Sequence, residues 1–190
     1  MAQDSDTFQF VDQSGNMVAN GSTVTLSDLK EDLFLGNYIS SGLSVKNTSA
    51  TTARVRMVYD ITTLDNGTFQ ICFPVNCMSR FETGAYTTTA DNMSGGEQRD
   101  LQCEWFPEAY GTCKVALAIE VVNALGTKIA DGPAVQVAFA YADPAHVNAF
   151  STEVTVLERY TLQGQPATNS HQGITIIRLS DGRIVKSVTK

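Results

Sequence analysis

The sequence has little charge and few long apolar runs, and each shortage excludes a class of protein. Charged residues make up only 17% of the 190 residues, whereas Thr, Ser, Asn, Gln and Gly are plentiful, as is common in extracellular β-proteins. No run of about 18 apolar residues occurs, so we expect no transmembrane span. Hydrophobic residues at 43% and aromatics at 8% are normal for a globular protein and argue against disorder.

Residue types that carry catalysis or bind metals are also scarce. The two histidines, His146 and His171, lie far from each other and from the cysteines, and no Gly-x-Ser-x-Gly elbow occurs. The cysteine spacings match no zinc site. We therefore expect no catalytic residue, no metal site, no cofactor and no enzymatic activity. A hydrolase built on scattered carboxylates is the remaining enzymatic alternative.

The negative charge is unevenly distributed along the chain. The formal net charge is −7, but residues 158–190 carry five Lys or Arg against two acids, a net of +3, which leaves −10 for the rest. Phosphate binding requires a basic face, so an acidic body argues against nucleic acid as a partner. The basic end is either solvated or faces an acidic partner.

The four cysteines form two pairs that are close in sequence. Cys72 and Cys77 flank a Phe-Pro-Val-Asn turn, and Cys103 and Cys113 flank a Pro-containing turn between two predicted strands. Each turn could bring two Cα atoms within the roughly 4.4–6.8 Å that a disulfide needs. We predict bridges 72–77 and 103–113, which imply an oxidising compartment. Four reduced, buried thiols in a cytosolic protein are the alternative.

Apolar and polar residues alternate along most of the chain, which predicts β-strands. In 53–61, the residues expected to point to one buried face are Val55, Met57, Tyr59 and Ile61. Asn66-Gly67 predicts a hairpin between 53–61 and 68–73. Convincing helical patterns are absent, although 27–34 could form one or two helical turns.

The order of these segments resembles that of immunoglobulin-like domains of surface proteins. We therefore predict an all-β fold, an immunoglobulin-like β-sandwich of antiparallel strands over residues 1–157. Unlike the bridges of antibody domains, the cysteine pairs here are close in sequence, so the resemblance concerns architecture and not descent.

One cluster combines aromatic and acidic residues. Trp105, Phe106 and Tyr110 lie beside Glu104 and Glu108. The three aromatic residues could form a ligand platform on which a sugar stacks, which would make the protein a carbohydrate-binding accessory module with a glycan as its partner. More often, such residues close the end of a sandwich core.

The last part of the chain, residues 158–190, contains three alternating runs separated by Gly-containing turns, which predict strand, turn, strand, turn, strand. It is too short to hold a core of its own. Its many apolar residues favour docking on the sandwich. A segment that merely completes the sandwich domain is the alternative.

The same segment contains a characteristic order of residues: Tyr160, Leu162, Gly164, Gly173, Ile174, Ile176, Asp181, Gly182, Lys186 and Lys190. This order resembles the C-terminal sorting segments of proteins that Bacteroidetes export through the type IX secretion system. The resemblance covers about a sixth of the chain. It implies that the tail is a sorting signal recognised by the secretion machinery.

The sequence therefore predicts the cellular location of the protein better than it predicts a ligand. Met1-Ala-Gln-Asp4 resembles the mature end left after removal of an export signal. We expect a bacterial protein, secreted or on the outer-membrane surface, with a binding or structural role towards an unknown ligand or surface protein. Apart from the carbohydrate-binding module, the other alternative is a pilus-like assembly subunit that polymerises through its strand edges.

Overall fold

The computed structural model describes residues 7–143, 156–168, 172–179 and 183–189, and in these ranges the secondary structure is β throughout. The chain divides into two compact units, residues 1–144 and 145–190. The strands of the first unit are β1 (Phe8–Val11), β2 (Met17–Val18), β3 (Thr23–Leu26), β4 (Lys30–Asp32), β5 (Gly36–Ser40), β6 (Leu43–Asn47), β7 (Ala53–Leu64), β8 (Gly67–Cys72), β9 (Cys77–Arg80), β10 (Gly84–Thr87), β11 (Asp91–Met93), β12 (Gln98–Pro107), β13 (Gly111–Val122) and β14 (Lys128–Tyr141). Those of the second are β15 (Val156–Thr161), β16 (Gly173–Leu179) and β17 (Ile184–Thr189).

The first unit is an immunoglobulin-like β-sandwich of two sheets, which confirms the predicted fold class. One sheet has the order β2-β1-β6-β12-β5-β4, with β8 pairing with β12 and β9 with β8. The other has the order β10-β7-β13-β14-β3, with β11 pairing with β7. The pairs are antiparallel except that β3 runs parallel to β14.

Alternate residues of both sheets form one hydrophobic core. The four residues predicted to share a face of β7 are all buried, and on β13 the buried residues include Val115, Leu117 and Ile119. The other sheet contributes the large side chains Phe8, Phe10, Phe69 and Trp105. Because side chains alternate across a strand, each of these strands buries one row against the facing sheet.

The predicted hairpin around Asn66-Gly67 is wrong. β7 pairs with β13, β10 and β11, whereas β8 pairs with β12 and β9 in the other sheet. The turn therefore carries the chain from one sheet to the other. Asn66 still has the positive φ of 43° that is typical of Asn in turns, so the local geometry fits the sequence while the strand partner differs.

Gly67 is required where this turn meets β12. Its φ is +142°, and a Cβ at this position would lie 2.1 Å from the carbonyl oxygen of Phe106. Only glycine combines this backbone conformation with so close an approach of two strands.

The connection from β12 to β13 also carries the chain from one sheet to the other. It is hydrogen-bonded to the turn at Asn66-Gly67, which is the first such crossing. The Asp65 carboxylate accepts hydrogen bonds from the Thr112 N–H (3.1 Å) and hydroxyl (3.0 Å). The Asn66 amide donates to the carbonyl of Tyr110 at 3.1 Å. The two crossings therefore lie side by side at one end of the sandwich.

Residues 27–34 do not form the helical turns that the sequence allowed. They lead into a hairpin of β4 and β5. Asp32 explains the turn: its carboxylate accepts hydrogen bonds from the backbone N–H of Phe34 (2.8 Å) and of Leu35 (2.9 Å). Asp favours such local side chain-to-backbone bonds, which compete with a helix.

The second unit contains an antiparallel sheet in the order β15-β16-β17. The three strands coincide with the three alternating runs of the sequence. The domain boundary predicted between residues 157 and 158 falls within β15, and the second unit begins at residue 145. Docking of this segment on the sandwich stays a prediction.

Replacing Gly67 with Ala should destabilise the sandwich by more than about 3 kcal/mol, because strain at positive φ adds to a clash with the backbone of β12. Denaturant-induced unfolding measures this loss. The matched control is Gly126→Ala, at a φ of +79° with open space around the new Cβ, which should cost only about 1–2 kcal/mol. Equal losses in the two variants would contradict the close approach.

Candidate functional site

The predicted bridge between Cys72 and Cys77 is present. It joins the end of β8 to the start of β9, where the two residues are directly opposite each other. The bond closes a short hairpin and leaves the two sheets covalently unconnected. A disulfide is compatible with an extracellular protein.

The predicted bridge between Cys103 and Cys113 is wrong, since both cysteines are free and buried. The physical reason is the sheet crossing: Cys103 lies on β12 in one sheet and Cys113 on β13 in the other, so they are not cross-strand neighbours. Burial raises the pKa of the Cys113 thiol to about 12. Burial, and then the proximity of Cys113, also raise the pKa of Cys103. Both side chains therefore act as small core residues.

The predicted aromatic platform is not formed. Trp105 is completely buried in the sandwich core. Phe106, next on β12, points to the opposite face of the sheet and stacks on Tyr38 with ring centroids 5.8 Å apart. Tyr110 lies in the turn after β12 and contacts Tyr141. Strand alternation separates Trp105 from Phe106, so the three rings share no surface.

The residues of the sorting-like tail lie on strands and turns of the second unit. Tyr160 is on β15, Gly173, Ile174 and Ile176 are on β16, and Lys186 is on β17. Leu162 and Gly164 occupy the turn after β15, where Gly164 has a φ of +80°. Asp181, Gly182 and Lys190 lie outside the described residues.

The register of this sheet brings several of the tail residues together. Tyr160, Ile176 and Lys186 are directly opposite one another across the three strands. Ile174 is opposite Val188 on the same face. Leu162 is exposed. Four of the characteristic residues, Tyr160, Ile174, Ile176 and Lys186, therefore share one face of this sheet.

A cleft that the sequence patterns do not reveal lies at one end of the sandwich. The cleft has a volume of about 280 Å³, and its lining includes Phe8, Thr52, Arg54, Val121 and Ile129. This volume is near the lower end of the roughly 300–1,000 Å³ that is typical of ligand pockets. The cleft therefore suits one or two side chains better than a whole cofactor.

Arg54 supplies the positive charge of the cleft. Its Nε is buried and has no hydrogen-bond partner among the described residues. Asp131 lines the same cleft. Its Oδ1 forms an ion pair with the Nζ of Lys128 at 2.6 Å. The pKa of Asp91 on neighbouring β11 is lowered by the backbone N–H of Asn92 and, to a smaller extent, by the charges of Arg99 and Arg54, so Arg54 already has an acidic neighbour.

Asn47 holds the loop of residues 48–52, which forms one wall of this cleft. It is completely buried, and its amide nitrogen donates to the carbonyls of Thr51 (2.9 Å) and Met93 (3.1 Å). Its amide oxygen accepts hydrogen bonds from the N–H and hydroxyl of Ser49. One side chain thus fastens the loop to β11.

A second feature missed in the sequence is the apolar turn between β4 and β5. Leu33 is 100% exposed, Phe34 96% and Leu35 59%. The run of three apolar residues between Asp32 and Gly36 is visible in the sequence, but a run of that kind is more often part of a core. We call these three residues the apolar tip.

Within the described ranges, no group of three or more His, Cys, Asp or Glu residues could hold a metal ion. His146 and His171 lie outside those ranges. The described residues also include no helix that is long and apolar enough to cross a membrane.

No protein-family model and no curated protein matches this sequence. The solved structures that it resembles in fold include two domains. The N-terminal domain of PorA is 19% identical with a TM-score of 0.49, and the similarity covers 70% of this chain and 96% of that one. An ASH / PapD-like domain of human CEP192 is 9% identical with a TM-score of 0.39, covering 75% of this chain and 91% of that one. Neither likeness extends beyond the general architecture.

A thiol titration tests the assignment of the cysteines. In denaturant without reductant, the protein should react with a thiol reagent at two sites per chain, which correspond to the two free cysteines. The native protein should react at none, because both thiols are buried and protonated. If no thiol reacted in denaturant, the result would show that Cys103 and Cys113 form a second bridge.

Replacing Asn47 with Ala should destabilise the sandwich by about 2–4 kcal/mol, because it removes a fully buried amide that donates to the carbonyls of Thr51 and Met93 and accepts from Ser49. Thermal or denaturant-induced unfolding measures the loss. Asn92→Ala, at an exposed position of neighbouring β11, is the matched control and should change stability by less than about 0.5 kcal/mol. A small effect at both positions would show that the loop does not depend on this amide.

Proposed function

We propose that the protein is an exported β-sandwich protein of a Bacteroidetes bacterium, secreted or held at the outer-membrane surface, and that its second unit is a sorting signal of the type IX kind. The sandwich then serves a binding or structural role rather than catalysis. The observation that carries the proposal is the tail, whose order of residues resembles that family of signals. The disulfide between Cys72 and Cys77 supports export to an oxidising compartment.

The organisation of the chain also supports a separate role for the tail. Residues 145–190 form a compact unit of their own. The family-like residues that the structure describes lie on the strands and first turn of this unit, with Leu162 exposed and Lys186 exposed on β17. A machinery that recognises folded cargo could read this surface without unfolding the sandwich.

Secretion of variant chains tests the sorting role. In a Bacteroidetes host that has the type IX system, the full chain should reach the surface or the medium. The chain ending at Pro144 should stay in the periplasm while its sandwich remains folded. Normal secretion of the shortened chain, or secretion of the full chain by a host that lacks the system, would contradict the proposal.

A point variant separates recognition from folding. Leu162→Ser removes an exposed apolar side chain of the tail, at 58% exposure, and should lower secretion about tenfold if that side chain is read directly. Leu125→Ser makes the same change at an exposed position of the sandwich, at 91% exposure, and should leave secretion unchanged. Equal secretion of both variants would show that Leu162 is not part of the signal.

A further inference from the structure

The outer edge of β17 is an open strand edge with a positive charge at its middle. Within the described residues, β17 pairs with β16 and with no other strand. We propose that the second unit binds its partner by strand addition, in which an extended protein segment pairs with this edge and places an acidic residue opposite Lys186. That the partner belongs to the secretion machinery rests on the function proposed above.

The register of the sheet shows which backbone groups of β17 point outwards. The N–H of Leu179 donates to the carbonyl of Arg183 at 2.9 Å, which makes these two residues a hydrogen-bonded position of the ladder. Because such positions alternate along antiparallel strands, every second residue of β17 directs its backbone groups at β16. The residues between them direct theirs away from β16: Ile184, Lys186 and Val188.

The opposite edge of the same sheet is closed by the chain itself. The N–H of Thr161 donates to the carbonyl of Gln165 at 2.8 Å, and the N–H of Ala167 donates to the carbonyl of Arg159 at 2.8 Å. Pro166 lies between these contacts in a β-bridge with β15, and it has no N–H to offer a further strand. The sheet is therefore open to strand addition at β17.

The edge of β17 is also longer than the outermost strands of the sandwich. β2, β3, β4, β9, β10 and β11 are two to four residues long, whereas β17 spans six. Short edge strands are a common protection against unwanted strand pairing. Among the outermost strands that the structure describes, β17 therefore offers an added strand the longest row of backbone groups.

The side chains of β17 favour a partner strand over water. Ile184 is 70% exposed and Val188 65%, and both lie on the same face of the strand as Lys186 because side chains alternate. A strand that pairs with this edge brings its own side chains within about 4.5–5.5 Å of them and removes this apolar surface from water. The segment that fits has apolar residues two positions before and two positions after its acid.

Lys186 determines which strand fits this edge. A second copy of β17, paired antiparallel about Lys186, would place Ile184 opposite Val188 but the two ammonium groups directly opposite each other. Like charges in that position are destabilising, whereas opposite charges stabilise a cross-strand pair. A lysine within an edge strand thus opposes self-pairing. An acid on the partner strand is the complement, in agreement with the net charge of +3 of residues 158–190.

Amide hydrogen exchange of the purified full chain tests whether the edge is open. The amide hydrogens of Ile184, Lys186 and Val188 should exchange at least about tenfold faster than those of Val185 and Ser187, because only the latter two are bonded to β16. Equal protection of all five amides would contradict the open edge.

A charge-swapped copy of the chain is the probe for the partner strand. Lys186→Glu and the wild type should each stay monomeric alone, whereas their one-to-one mixture should form heterodimers at least about tenfold tighter than either homodimer. Sedimentation velocity measures the association, and exchange at Ile184 and Val188 should slow in the mixture. Lys46→Glu is the matched control, because it makes the same change on β6, which is paired on both sides. Its mixture with the wild type should stay monomeric.

Secretion of the same variants tests the partner in the cell. In a Bacteroidetes host that has the type IX system, Lys186→Glu should be secreted about tenfold less than the wild type, since an acid then faces the acid of the partner strand. Lys186→Arg keeps the charge and should be secreted normally, as should Lys46→Glu.

The outcomes separate strand addition from the sorting role. A mixture that stays monomeric, a wild type that dimerises as tightly as the mixture, or normal secretion of Lys186→Glu would each overturn strand addition. A wild-type chain that is not secreted would overturn the sorting role instead. Strand addition would then stand or fall by the exchange and mixing measurements, which use purified protein.

Discussion

The sandwich depends on two connections that change sheets at the same end of the molecule. The turn at Asn66-Gly67 and the turn after Pro107 each carry the chain across the core, and Asp65 binds Thr112 between them. Gly67 lets β8 approach the carbonyl of Phe106 so closely that a side chain would clash. Pairing of β8 with β12, burial of Trp105 and the placement of Cys103 and Cys113 in different sheets all follow from these crossings.

The sequence predicted the strands well and their partners less well, and the reason is physical. An alternating run such as 53–61 has a buried face whether the next strand lies beside it or in the facing sheet, because both arrangements satisfy the same period of two. Asn66-Gly67 reports only the backbone conformation of a turn. The predicted hairpin at Asn66-Gly67 and the predicted bridge between Cys103 and Cys113 therefore both depended on information about core packing that local patterns lack.

The surfaces of the sandwich were harder still to predict. Trp105 is the residue most expected at a sugar platform, yet alternation along β12 directs it into the core. The cleft beside Arg54 combines the ends of β1, β7, β13 and β14 with a loop, and residues so distant in sequence leave no shared pattern. The apolar tip consists of Leu33, Phe34 and Leu35, which would pass for core residues until the Asp32 turn shows that they face solvent.

The parallel pairing of β3 with β14 has a mechanical consequence. A force that acts on the start of β3 and on the end of β14 would pull the two strands in opposite directions. Because the strands are parallel, these pulls are opposed along the strand axis and load their hydrogen bonds in shear, so that the bonds share the force. In an antiparallel pair at the same place, the same force would break the hydrogen bonds one after another. This strand pair therefore resists a force that acts along the two strands.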